Sequence, residues 1–156
     1  MFIQETKTAV LIKEGQFIAY QDGKEVNRAS KIEACILSAE SLEPPKEAKT
    51  SKKGIRFVIA DKDGNEYRLT VIGSYITDFY LRLKEYAPAK GEFIQLMAIE
   101  KDPVSTAGGD FIPRYLCLYT KGDKKEYTLV KGGEKPNDWG AFHKEAVKEI
   151  VNLYGN

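Results

Sequence analysis

The stretch GIRFVIADKDGNEYRLTVIGSYITDFYLRL, residues 54–83, changes hydrophobic period halfway along, and that change decides the fold class. Ile55, Phe57 and Ile59 alternate with Arg56, Val58 and Ala60; Tyr67, Leu69 and Val71 alternate with Arg68, Thr70 and Ile72. Alternation of this kind belongs to strands whose two faces meet different surroundings. Lys62-Asp63-Gly64-Asn65 separates the runs, and Asp-Gly between β-rich segments signals a hairpin. The charge-free faces, Ile55/Phe57/Ile59 and Tyr67/Leu69/Val71, are expected to form the core. From Ile76 the spacing becomes helical, through Phe79, Tyr80 and Leu83. Gly73 ends the strand and Ser74 is the expected cap. Asp78 stands toward the favourable end of the helix dipole, with Arg82 and Lys84 further along. Pro88 stops the helix, which is expected over 74–87.

Working upstream, Lys31–Ala39 reads as a strand with Ile32, Ala34 and Ile36 on one face. Residues 43–53 hold two prolines and no apolar periodicity, and should form an exposed loop. Thr8–Lys13 and Gln16–Gln21 read as a hairpin around Glu14-Gly15, ended by Asp22-Gly23 and added in front of the strands from residue 31 onward. Downstream, Glu92–Glu100 is a strand apolar enough for burial on both faces. Lys101–Asp110, with Pro103, Gly108 and Gly109, should be a flexible loop. Ile112–Thr120 and Lys125–Val130 form a last hairpin through Gly122-Asp123. A helix over 138–154, capped by Asn137 or Asp138, carries the stripe Trp139, Phe142, Ala146, Ile150 and Leu153, which docks on the rest. Ile55, Phe57, Leu69, Val71, Phe93 and Leu116 should be buried. There is no internal repeat and no boundary, so residues 1–156 form a single domain, mainly β.

Composition narrows the function. The 156 residues hold 42% hydrophobic and 30% charged side chains, with a formal net charge of +1. A polybasic duplex binder would be more positive, so any anion-binding surface must be local. Cys35 and Cys117 sit in apolar runs outside any C-x-x-C pair and read as buried free thiols; a bridge between them stays open. Residues 1–10 carry Glu5 and Lys7 and lack a signal peptide's apolar core. No apolar run approaches the roughly 18 residues of a membrane span. The expectation is a soluble, cytoplasmic protein without membrane contact.

From residue 31 the order strand, strand, strand, helix, strand, strand resembles the oligonucleotide/oligosaccharide-binding (OB) barrel over residues 31–130. The resemblance implies a five-stranded, partly open barrel with a helix between strands three and four closing one end. It also implies a ligand face on strands two and three, flanked by the loops joining strands one and two and strands four and five. Carried onto this chain, the first loop supplies Lys46, Lys49, Lys52 and Lys53. The face supplies Arg56 and Arg68, and the second loop runs to Phe111 beside Arg114 and Tyr115. Tyr115 and Tyr119 are candidate stacking platforms. Cations meeting phosphates and rings stacking on unpaired bases suit a single strand, DNA or RNA. The closest likeness is to single-stranded DNA-binding proteins of phage or mobile elements, acting in DNA replication or recombination. Bacterial single-strand binding proteins carry a flexible tail with an acidic, apolar tip. Here the last residues, Val151–Asn156, come directly after the expected helix, so recruitment of the bacterial type is not expected.

Each candidate has a plainer reading. Lys49, Lys52 and Lys53 also fit a solvated loop, and Arg56 and Arg68 fit ordinary strand-surface charge paired with Glu66. Tyr119 also fits core packing. Asp61-x-Asp63-Gly64 lacks the spacing of a calcium loop and reads as a turn. His143 is the only histidine and has no second ligand nearby; it reads as a surface residue. No nucleophile, phosphate-loop or metal motif is present, so neither catalysis nor a metal or organic cofactor is expected. Two functions remain. One is a single-stranded DNA binder with little sequence specificity. The other is a protein-interaction module using the barrel as scaffold. Assembly into a homo-oligomer through sheet edges stays open.

Overall fold

Residues 8–46 and 52–155 are described by the computed structural model; Lys49 lies outside them. In chain order they form β1 (Thr8–Lys13), β2 (Gln16–Gln21), β3 (Lys24–Ala29), β4 (Lys31–Leu42), β5 (Gly54–Ala60), β6 (Glu66–Val71), α1 (Ser74–Leu83), β7 (Phe93–Glu100), β8 (Val104–Thr106), β9 (Gly109–Phe111), β10 (Arg114–Thr120), β11 (Thr128–Val130) and α2 (Trp139–Tyr154). Nine strands make one sheet in the order β11-β10-β7-β4-β5-β6-β1-β2-β3, and β8-β9 is a separate small hairpin. The large sheet curls into a half-barrel.

The hairpin β5-β6 forms in the expected register, with Ile55 opposite Val71, Phe57 opposite Leu69 and Ile59 opposite Tyr67. Its turn is held by Asp61, whose carboxylate accepts the backbone N–H groups of Asp63 and Asn65, the Asn65 amide and the Tyr67 hydroxyl. Burial would raise this carboxyl; the hydrogen bonds outweigh it and hold it below the usual range. Ile55, Phe57, Leu69, Val71 and Leu116 are buried as expected, while Phe93 is half-buried. Cys35 and Cys117 are both buried and free.

The N-terminal segment is more than an added hairpin. Beyond β1-β2 the chain turns at Asp22-Gly23 into β3, so three strands form a meander. β3 reads Lys-Glu-Val-Asn-Arg-Ala; it is exposed on both faces, and so shows no alternation. β1 lies parallel to β6, Val10 opposite Leu69, which joins the meander to the large sheet. Val10, Ile12 and Phe17 are in the same core as Leu96, Ala98 and Leu116. Gly15, at the β1-β2 turn with φ 73°, lies against the β7 backbone; a Cβ there would stand 3.0 Å from the Glu100 nitrogen.

The five strands expected for residues 31–130 lie within a larger curled sheet of nine strands. Within it β6-β5-β4-β7-β10 run antiparallel in that order. β6 pairs with β1, and no ladder joins β6 to β10 among the described residues. α1 covers the exposed edge of β10. Asp78 Oδ2 accepts the Leu116 N–H at 2.9 Å, and Arg82 donates to the Val130 carbonyl at 2.9 Å. Burial pushes the Asp78 carboxyl up, against the pull of Arg82 beside it.

Several boundaries shift from expectation. α1 ends at Leu83 rather than 87, and its N-cap is Gly73 at φ 63°, with no side-chain cap bond. Ser74 is the first helical residue and accepts the Thr77 hydroxyl through its carbonyl oxygen. The Gly108-Gly109 segment forms the β8-β9 turn instead of a plain loop. The last ladder is shorter than expected, with only Leu118–Thr120 of β10 paired to Thr128–Val130. α2 begins as expected, with Asp138 Oδ1 accepting the Ala141 N–H at 3.1 Å. His143 is the clearest correction. It is 3% exposed, not a surface residue, and its Nε2 donates to the Lys53 carbonyl at 2.8 Å. That bond ties α2 to the segment entering β5.

Candidate nucleic-acid interface

Four chain segments meet here: the segment before β5, the start of α1, the run from β9 into β10, and the run into the start of α2. They enclose a cleft of about 400 Å³. Lys52 enters it from the segment before β5, and Arg114 and Tyr115 from the start of β10. Phe111 and Trp139 add large rings that are 50% and 44% exposed. Lys135, from the segment before α2, completes the basic side. The acidic group in the wall is Asp78, already engaged by Arg82 and the Leu116 N–H.

Local structure explains why these groups point here. Trp139 occupies the first turn of α2, where Asp138 caps the helix; its indole meets Phe142 edge-on at 6.0 Å between ring centres. Phe142 in turn packs on Tyr80 of α1 at 5.2 Å, which anchors the aromatic wall to the core. Phe111 is the last residue of β9, carried to the cleft by the turn at Gly109, whose φ is 112°. Tyr115 carries Lys101 over its ring at 5.6 Å. Arg114 Nε lies 2.7 Å from Glu100 Oε1, which offsets part of its charge and fixes its direction.

Of the residues expected to form a site, the structure brings Lys52, Arg114 and Tyr115 together. Lys53 lies next to them, in a second groove, where its ammonium meets Glu43 at 3.2 Å. Arg56 and Arg68 do share the outward face of β5-β6, since Arg56 is opposite Thr70 and Arg68 opposite Val58. Neither lines the cleft, and Arg56 pairs with Glu40 at 3.2 Å. Tyr119 belongs elsewhere again. Lys31 sits over its ring at 4.5 Å and its hydroxyl meets the Met97 sulfur. Lys46, at the end of the first described stretch, is exposed.

The sequence reading missed Phe111, Trp139 and Lys135. Phe111 had a signal, a large aromatic beside two glycines in a polar loop. Trp139 fits the helical stripe and so reads as packing. No group of three or more metal-binding side chains occurs among the described residues. No helix is long and apolar enough to cross a membrane. The Cys117 thiol is pushed up by burial, which disfavours its nucleophilic thiolate form.

No protein-family model, curated protein or solved structure matches the chain.

Proposed function

We propose that the chain binds single-stranded nucleic acid with little sequence specificity, and that it does so in the cleft between α1, β10 and α2. The observation that carries this reading is the convergence of three exposed or half-exposed rings, Phe111, Tyr115 and Trp139, with Lys52, Arg114 and Lys135. Rings of this kind stack on any unpaired base, because every base has a π-face, while the cations hold the phosphates on either side. A duplex buries its base faces and would not enter. The action is binding rather than catalysis.

The same reading takes the half-barrel as an OB-type scaffold made of β4, β5, β6, β7 and β10. Its support is the antiparallel order of those strands and the helix following the third. On this view the seam left between the third and fifth strands is covered by α1, and the ligand site moves from the strand face to that seam.

Fluorescence anisotropy with labelled single- and double-stranded oligonucleotides at two salt concentrations tests the reading. The expected result is tighter binding of the single strand, weakening as salt rises because counterions are released on binding. Folded protein with no salt-sensitive affinity for any single strand would replace this function with the protein-interaction module.

A further inference from the structure

A second and larger groove, of about 870 Å³, lies along the outer side of α2 against the end of β4 and the segment entering β5. It shares Lys52 and His143 with the aromatic cleft, so the two are continuous. Its basic residues are Lys52, Lys53, Lys144 and Lys148. Lys144 and Lys148 are four residues apart on α2, which stacks them on one side of the helix about 6 Å apart along its axis. The acidic residues next to them in sequence, Glu145 and Glu149, are absent from the groove wall. Their charges act instead on Tyr80 of α1. α2 thus sorts its charges, cations toward the groove and anions toward α1. Asp138, the acidic residue in the wall, has Oδ1 engaged in capping α2. Lys53 shares the groove while paired to Glu43.

We infer that this groove carries the phosphodiester backbone of the same strand, so that it leaves the aromatic cleft across Lys52 and runs along α2. This rests on the proposed function and adds its path. The strand follows the terminal helix instead of the outward face of β5-β6. The groove contributes positive charge without an exposed ring, which suits phosphates and not bases. His143 positions the track by holding the Lys53 carbonyl to α2.

The test compares salt dependence for three proteins binding a labelled oligothymidylate of about 16 nucleotides, the upper footprint of one barrel of this type. They are wild type, the double variant Lys144→Gln/Lys148→Gln, and Lys124→Gln/Lys125→Gln. The last pair removes the same charge from exposed lysines outside the groove. Two lost phosphate contacts should reduce the slope of log affinity against log salt by about 1.4, since each single-strand contact contributes about 0.7. The control should lose much less. An unchanged slope in the groove variant, or an equal loss in the control, overturns the α2 path and leaves the cleft intact. A wild-type protein that binds no single strand removes both readings together. Lys144 and Lys148 are exposed, so thermal melting of both variants should match wild type.

Discussion

Asp78 lies on α1, yet its Oδ2 accepts the backbone N–H of Leu116 on β10 at 2.9 Å. The same oxygen meets Arg82 Nε at 3.0 Å, and Arg82 reaches on to the Val130 carbonyl. One ion pair therefore seals the strand edge that β6 leaves unpaired. The two side chains are only 11% and 14% exposed, so little solvent screens them. Replacing Asp78 by Ala strands a mostly buried guanidinium and an edge N–H. The expected cost is about 3–5 kcal/mol. Asp78→Asn keeps an acceptor for Leu116 and should cost less. Urea unfolding would report both as a lower midpoint with an unchanged slope.

Gly15 tests whether the tip of the N-terminal meander bears on β7. Gly15 and Gly64 both sit at turns with positive φ, 73° and 83°. Alanine at either pays the left-handed penalty of about 1–2 kcal/mol. Only at Gly15 would the new Cβ also press on the β7 backbone, at 3.0 Å from the Glu100 nitrogen; nothing lies within 4 Å at Gly64. Gly15→Ala should therefore lower the melting temperature more than Gly64→Ala. Equal losses would mean that the meander tip does not bear on β7.

Trp139 is the only tryptophan, so its fluorescence reports the cleft directly. A single-stranded oligonucleotide stacking there should quench it. Trp139→Ala should lower affinity by about 1–3 kcal/mol and leave the salt slope unaltered, because a neutral ring displaces no counterion. Tyr115→Ala should act in the same sense. Tyr119→Ala should leave affinity unchanged, since its ring faces Lys31 away from the cleft. Affinity lost equally on removing Tyr119 would return the site to the outward strand face.

Tyr127 gives an alkaline signature. Burial first, and then its 2.6 Å hydrogen bond to Glu33, push its phenol up to about 12. The folded chain thus holds this proton more tightly than the unfolded chain, whose tyrosines titrate near 10. Its contribution to stability is complete below that ordinary value and is lost as pH rises through about 12. Phenolate absorbance should show the late transition, and Tyr127→Phe should remove it. Titration of Tyr127 near 10 in the folded protein would contradict the contact with Glu33.

The sequence alone determined what short-range chemistry controls. The alternation from Ile55 to Val71 set the β5-β6 hairpin and its inward face, since a register slip would put charge into the core. Helical spacing placed α1 and α2, and Asn137-Asp138 marked where α2 begins, the structure choosing Asp138 as the cap. Lys52, Arg114 and Tyr115 were legible as candidates only through the resemblance to the OB barrel, whose ligand loops they fall beside. The edge strand β3 was not legible, because a strand exposed on both faces carries no obligatory alternation. Tertiary structure alone decided that β6 pairs in parallel with β1, and that α1 covers the edge of β10. Such contacts join residues far apart in the chain, and local periodicity carries no record of them. For the same reason His143, which reads as polar surface, is buried on the Lys53 carbonyl. Trp139, which reads as core, stands exposed in the cleft: a helix stripe states which residues share a side, and only the packed partner decides how far along that side burial extends.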